Sequence, residues 1–224
     1  TVLTPLGLME SKNRVIAMDG PAASGKSSVA TIVSEKTGFL HINSGLMYRA
    51  LTWSALNSGV DPSDTVSIID HLNSIDMNCR KSGDSLILMI NGNDLGDELK
   101  SEQVNSSVSI VSAIKEVRDE LVKRQRDYVQ ISNIVMEGRD IGSVVFPDTP
   151  FKFYIDASPE VRAKRRQEEG GQDDLLVRDK LDSSRKVSPL VIPKDSFFID
   201  TSHMKLNEVV DKVMAELSLR GLDK

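Results

Sequence analysis

Residues Gly20–Ser27 read GPAASGKS and satisfy every fixed position of the pattern G-x-x-x-x-G-K-[ST]. No other feature of the chain constrains its fold as tightly. The glycines let the backbone bend and bring its N–H groups onto phosphate oxygens. Lys26 can reach outer phosphates, and the Ser27 hydroxyl can ligate Mg²⁺. Such a loop needs a strand before it and a helix after it. Val15-Ile16-Ala17-Met18 is a short apolar run suited to a buried strand, and Ser27–Val33 continues as an apolar-faced helix.

The rest of the chain keeps that alternation. Further strand-like runs are Phe39–Ile42, Ile134–Met136, Phe151–Ile155 and Phe197–Ile199. Helical spacing follows at Ser44–Leu56, with Ser44 as a candidate N-cap and Gly59 just past the end. Glu116–Ile131 places Val117, Leu121 and Tyr128 on one side among many charges. Ser158-Pro159-Glu160 is a helix start, and Leu206–Leu219 a closing amphipathic helix. Alternating strands and helices imply an α/β fold, a five-stranded parallel sheet covered on both faces.

Two regions interrupt the pattern. Residues 61–110 hold a helix-like piece, Val66–Leu72, and two strand-like runs at Ile75–Cys79 and Leu86–Ile90. A Ser82-Gly83-Asp84 turn separates the runs, and Asn91-Gly92 is a second turn signal. The region reads as a small antiparallel insert. Residues 158–186 are dense in both signs of charge, with Gly170-Gly171 as a flexible break. The core domain is then 10–60, 111–157 and 187–224. Thr1–Leu8, ahead of Met9, reads as an appended remnant with no signal-peptide character.

Composition excludes several functions. The net charge of −5 argues against a general nucleic-acid or anionic-membrane binder, and 4% aromatic residues leave little for base-stacking platforms. No apolar run approaches a membrane span. One cysteine, Cys79, precludes an intramolecular disulfide and suits a reducing, cytoplasmic setting as a structural thiol. His41, His71 and His203 lack metal-ligand spacing.

Polar residues with chemical potential cluster in four places. Glu137-Gly138-Arg139-Asp140 follows an apolar strand, where parallel sheets open their ligand crevice, and a carboxylate there can hold Mg²⁺ through water. Ser44-Gly45-x-x-Tyr48-Arg49 opens at the same edge. Arg49 is either a phosphate clamp or a surface residue, and Trp53 reads as packing. Arg162, Arg165 and Arg166 share one helix face, as do Arg178, Asp182 and Arg185. Each set is either a salt-bridged surface or a ligand grip, since arginines fork onto phosphate and a carboxylate accepts from sugar hydroxyls.

The segments GPAASGKSS, NSGLMYRA, EGRDIGSVVFPD, SPEVRAKRR, RDKLDSSRKVSPL and FFIDTS, with DLGDELKSEQVN in the insert, resemble the bacterial cytidylate kinases in order and context. The resemblance runs from about Arg14 to Leu217. It implies transfer of the terminal phosphate of ATP to CMP or dCMP with Mg²⁺. Matched position by position, it implies that Gly20, Pro21, Ala22, Ala23, Ser24, Gly25, Lys26, Ser27 and Ser28 cradle ATP, with Ser27 on the metal. It further implies that Ser44, Arg49, Ser109, Arg118, Arg139, Asp140, Arg178, Asp182 and Arg185 line the CMP site. Asp140 with Ser109 suits the cytosine amino group, Arg118 the O2 and N3 acceptors, and Arg178 and Asp182 the ribose. Lys26, Arg139, Arg162 and Arg166 are the candidate catalytic cations, the last two on residues 158–186, which the resemblance implies form a mobile helical lid. The chain departs from the family's common pattern in a shorter stretch between Arg166 and Arg178, and in Glu137 where many relatives carry Asp.

The expected partners are therefore CMP, dCMP and ATP, on a monomer. Alternatives are a kinase of UMP or of a coenzyme precursor, and a nucleotide-binding switch protein. The absence of the guanine-reading N-K-x-D pattern counts against the switch.

Overall fold

The structure, a computed structural model, describes residues 14–82, 85–168, 170 and 175–222, excluding within these the side chains of residues 81, 82, 85 and 178. The expected remnant at 1–8, the turn residues Gly83 and Asp84, and Gly171 lie outside the described residues.

Strand β1 (Val15–Asp19) is buried along its whole length. It pairs in parallel with β6 (Ile134–Gly138) on one side and β7 (Phe151–Asp156) on the other. With β2 (Leu40–Asn43) beyond β6 and β8 (Phe197–Asp200) beyond β7, the parallel order is β2-β6-β1-β7-β8. All five expected strands are present. The pleat explains why continuous apolar runs were needed. Ile16 and Met18 face one layer, where α1 (Lys26–Thr37) and α8 (Leu206–Leu219) cover them with Val29, Val33, Val209 and Val213. Val15 and Ala17 face the other layer, with Val122, Ile134, Met136 and Ile141. Glu208 fixes the start of α8 by accepting from the Lys205 backbone N–H at 2.7 Å.

Helix α2 (Ser44–Asn57) leaves the carboxyl end of β2. Residues 61–110 then pack over it. Helix α3 (Thr65–Ser74) is capped by Asp64, whose carboxylate accepts from the backbone of Val66 and Ser67. Strands β3 (Met77–Ser82) and β4 (Ser85–Ile90) are antiparallel, and the Asn91-Gly92 turn returns β5 (Asn93–Asp94) onto β4. The first of these strands begins two residues later than its apolar run. Among the described residues the antiparallel group is joined to the edge of the parallel sheet through one bridge, His41 to Ser85. A 3₁₀ turn, Gly96–Lys100, and α4 (Glu102–Val111) complete the region. Sequence reading did not resolve α4, although Val104, Val108 and Val111 are its buried stripe.

This region shares one core with the main fold. Ile68, Leu88 and Val108 pack with Met47 and Leu51 of α2 and with Val117 and Leu121 of α5 (Lys115–Asp127), and Trp53 packs against the same cluster. After β7 come two short helices, α6 (Pro159–Glu168) and α7 (Leu175–Ser183). Among the described residues no helix is long and apolar enough to cross a membrane. The carboxyl ends of β1, β2 and β6 therefore converge on one crevice.

Candidate active site

The loop between β1 and α1 forms one wall of that crevice. Gly20 has φ +152°, and a Cβ there would lie 2.0 Å from the Ile155 carbonyl oxygen, so the close approach of loop to β7 requires glycine. Ala23 takes a left-handed backbone at φ 58° and Gly25 one at φ 90°. The Ser24 carbonyl is drawn away from the crevice, accepting from Arg165 at 3.1 Å and from the Thr201 hydroxyl at 3.0 Å. A trans peptide sets its N–H opposite its carbonyl, which aims the Gly25 N–H inward. Helix α1 begins there with no side-chain cap and no acidic residue in its first turn, an arrangement that favours an anion. The Lys26 ammonium, buried, donates to the Pro21 carbonyl at 2.9 Å. The Ser27 hydroxyl donates to Glu137 Oε2 at 2.6 Å across from β6.

Glu137 is buried, which would push its carboxyl up. His41, Lys26 and Ser27 outweigh that and hold it below the usual glutamate range. Its Oε1 has no hydrogen bond, and His41 Nε2 stands 3.4 Å away. A hydroxyl and an ionised carboxylate in contact beside a lysine, with one buried oxygen unsatisfied, fit a divalent cation of the Mg²⁺ kind.

The opposite wall is built by α2, α4, α5, α7 and the turn after β6. Arg118 is 2% exposed, yet it is fully charged, because Asp140 pairs with it and Ser112 accepts from it through its carbonyl at 3.0 Å. Its guanidinium also lies 5.2 Å from the centre of the Tyr48 ring, which burial pushes up to a pKa of about 12. Asp182 of α7 gathers the remaining groups. It accepts from Arg139 at 2.9 Å, from the Ser109 hydroxyl at 3.4 Å, and from Arg185. Arg185 also donates to the Ser112 hydroxyl at 2.8 Å. Ser44 donates to the Glu137 carbonyl at 2.8 Å, and Arg49 to the Leu99 carbonyl at 2.8 Å.

These walls enclose a cleft of about 240 Å³. Of the residues singled out from sequence, Ala22, Ala23, Gly25, Lys26, Ser27, Ser28, Ser44, Arg49, Ser109, Arg118, Arg139, Asp140, Arg166, Asp182 and Arg185 line it. Gly20, Pro21 and Ser24 support it from behind. The side chain of Arg178 lies outside the described residues. Arg162 is not a lining residue. It is buried behind the loop, donating to the Ala157 carbonyl at 3.0 Å and the Ala22 carbonyl at 3.3 Å, and pairing with Asp179 of α7. Sequence reasoning placed Tyr48 at this edge without a role, and it missed Ser112 and Asp19. Ser112 lies one helical turn from Ser109, which was named. Asp19 gave no signal beyond its place one residue before the loop.

Fold and site together define a phosphate-loop phosphotransferase, with the glycine-bearing loop facing a wall rich in arginine and carboxylate. The model of the cytidylate kinase family matches residues 16–219. Cytidylate kinases of Clostridium botulinum (strain Loch Maree) and Bacillus velezensis are 44% and 40% identical over 212 and 214 residues, covering 90% and 91% of this chain and 96% of each relative. That of Clostridium tetani is 41% identical over 210 residues, 89% of this chain and 91% of the relative. The chain belongs to the cytidylate kinase family.

Proposed function

We propose that the chain transfers the terminal phosphate of ATP to CMP or dCMP, giving ADP and CDP or dCDP. The observation that carries this reading is the buried Arg118–Asp140 pair, which faces the cleft opposite Lys26. Cytosine presents an amino donor beside ring acceptors, and a carboxylate beside a guanidinium is the matching set. Asp140 accepts from the amino group, with Ser109 beside it, and Arg118 donates to the acceptors. Asp182 and Arg178 meet the ribose. Arg49, Arg139 and Arg185 neutralise the acceptor phosphate.

The transfer needs in-line positioning and charge neutralisation more than covalent help. Lys26 and the loop N–H groups hold the donor phosphates. Ser27 and Glu137 would hold Mg²⁺, which would supply further neutralisation of the phosphate charge. The attacking phosphate oxygen is already anionic, so no general base is assigned. Arg166 is the lid cation that faces the reaction. Arg162 supports the loop from behind, in contact with α7. Closure of α6 and α7 over the cleft excludes water, the competing acceptor. The catalytic unit is a monomer in this reading. The single cysteine suits the cytoplasm.

Asp140→Ala tests the base-reading assignment. It should lower the preference for CMP over UMP at least tenfold while the KM for ATP stays within about twofold. An unchanged preference contradicts the assignment.

A further inference from the structure

Asp19 closes β1 one residue ahead of the phosphate loop, and no step of the proposed transfer uses it. It is 1% exposed. Its Oδ1 accepts from the Ile141 N–H and its Oδ2 from the Gly142 N–H, each at 2.7 Å. Those N–H groups open the short turn Ile141–Val145, and the residue immediately before it is Asp140. The carbonyl of Asp140 in turn accepts from the N–H groups of Val144 and Val145 at 2.8 and 3.1 Å. Asp140 is thus the first residue of a turn anchored at two points to β1.

Two bonds fix more than one does. A single contact would leave the turn free to pivot, whereas both carboxylate oxygens together set its rotation. The sequence makes room for the grip at Gly142. A Cβ there would lie 3.3 Å from Asp19 Oδ2 and 3.2 Å from the Lys152 methylenes. A helix-opening pair of N–H groups and a buried carboxylate also complement each other electrostatically.

We propose that Asp19 is a positioning residue for Asp140: its double hydrogen bond to Ile141 and Gly142 sets where the Asp140 carboxylate meets Arg118 and the acceptor base. Base selection is thereby tied to the same strand that carries the donor loop. The inference rests on the reading of Asp140 as the group that meets the cytosine amino group. A purely structural Asp19 behaves differently on substitution, weakening both substrates alike.

The test is steady-state kinetics with CMP and UMP on Asp19→Asn, Asp140→Ala and the double variant. The amide keeps the shape but turns an NH₂ toward one of the two N–H donors, so the grip falls to one bond. Asp19→Asn should lower the CMP/UMP ratio of kcat/KM about tenfold, chiefly through the KM for CMP, with the KM for ATP within about twofold. In the Asp140→Ala background it should change the ratio no further. Gly142→Ala presses on the same carboxylate from the other side and should lower the ratio in the same direction, which serves if Asp19→Asn does not fold. An unchanged ratio in these variants, equal rises in both KM values, or multiplicative effects in the double variant overturn the proposal. If Asp140→Ala itself leaves the ratio unchanged, the base-reading assignment and this inference fall together. If it lowers the ratio and Asp19→Asn does not, only the inference falls.

Discussion

Ala23 holds a left-handed backbone at φ 58° in the phosphate loop. An L side chain pays about 1 kcal/mol or more there, which glycine largely avoids. Ala23→Gly should therefore stabilise the fold by about 0.5–1 kcal/mol in denaturant titration, after the greater freedom of glycine in the unfolded chain is counted. A loss of stability contradicts the strain. Asp19 is buried against the turn after β6. Burial outweighs its two backbone donors and lifts its carboxyl from 3.8 to about 7. The folded chain then binds this proton more tightly than the unfolded chain. The stability it contributes is full below about pH 4 and is lost as the pH rises through about 7. The stability difference between the native chain and Asp19→Asn should shrink over that interval in urea titrations at stepped pH. A flat or growing difference contradicts it. The grip itself was not legible in the sequence. Its donors are backbone N–H groups more than a hundred residues away, and a backbone donor leaves no residue type to read.

At the scale of elements, α5 joins two parts of the molecule. Its Val117 and Leu121 lie in the core shared with residues 61–110, while Arg118 looks into the cleft. Leu121→Ala should cost about 3 kcal/mol, since the side chain is fully buried and a cavity remains. A cost below about 1 kcal/mol, measured by denaturant titration, contradicts that joint core. Helix α6 shows where element-level reading stops. Spacing placed Arg162, Arg165 and Arg166 on one face, and that much holds. Tertiary packing then divides them, because the loop's carbonyls at Ala22 and Ser24 take Arg162 and Arg165 and leave Arg166 on the cleft. Helix α4 was readable and was not read. Valines at 104, 108 and 111 keep helical spacing, but serine and asparagine between them mask it.

Across the whole molecule, the parallel sheet was legible because its central strands β1, β6 and β7 are buried on both faces and need unbroken apolar runs. The strand order was not, since pairing of β1 with β6 rather than β2 depends on contacts more than a hundred residues apart. That order brings together the two halves of the site. Lys26 and Ser27 follow β1, Glu137 stands near the carboxyl end of β6 with Asp140 just beyond it, and Asp182 comes from α7. In the proposed reaction these walls hold an ATP donor and a cytidine monophosphate acceptor at once. Lys26→Met should abolish turnover while leaving the circular dichroism spectrum unchanged; retained turnover would show that the loop is not catalytic. The most direct measurement is ADP formation from ATP with CMP, dCMP, UMP, AMP and GMP as separate acceptors. CMP and dCMP should be phosphorylated far faster than the other three. Comparable rates with UMP, or no ADP formed with any acceptor, would contradict it.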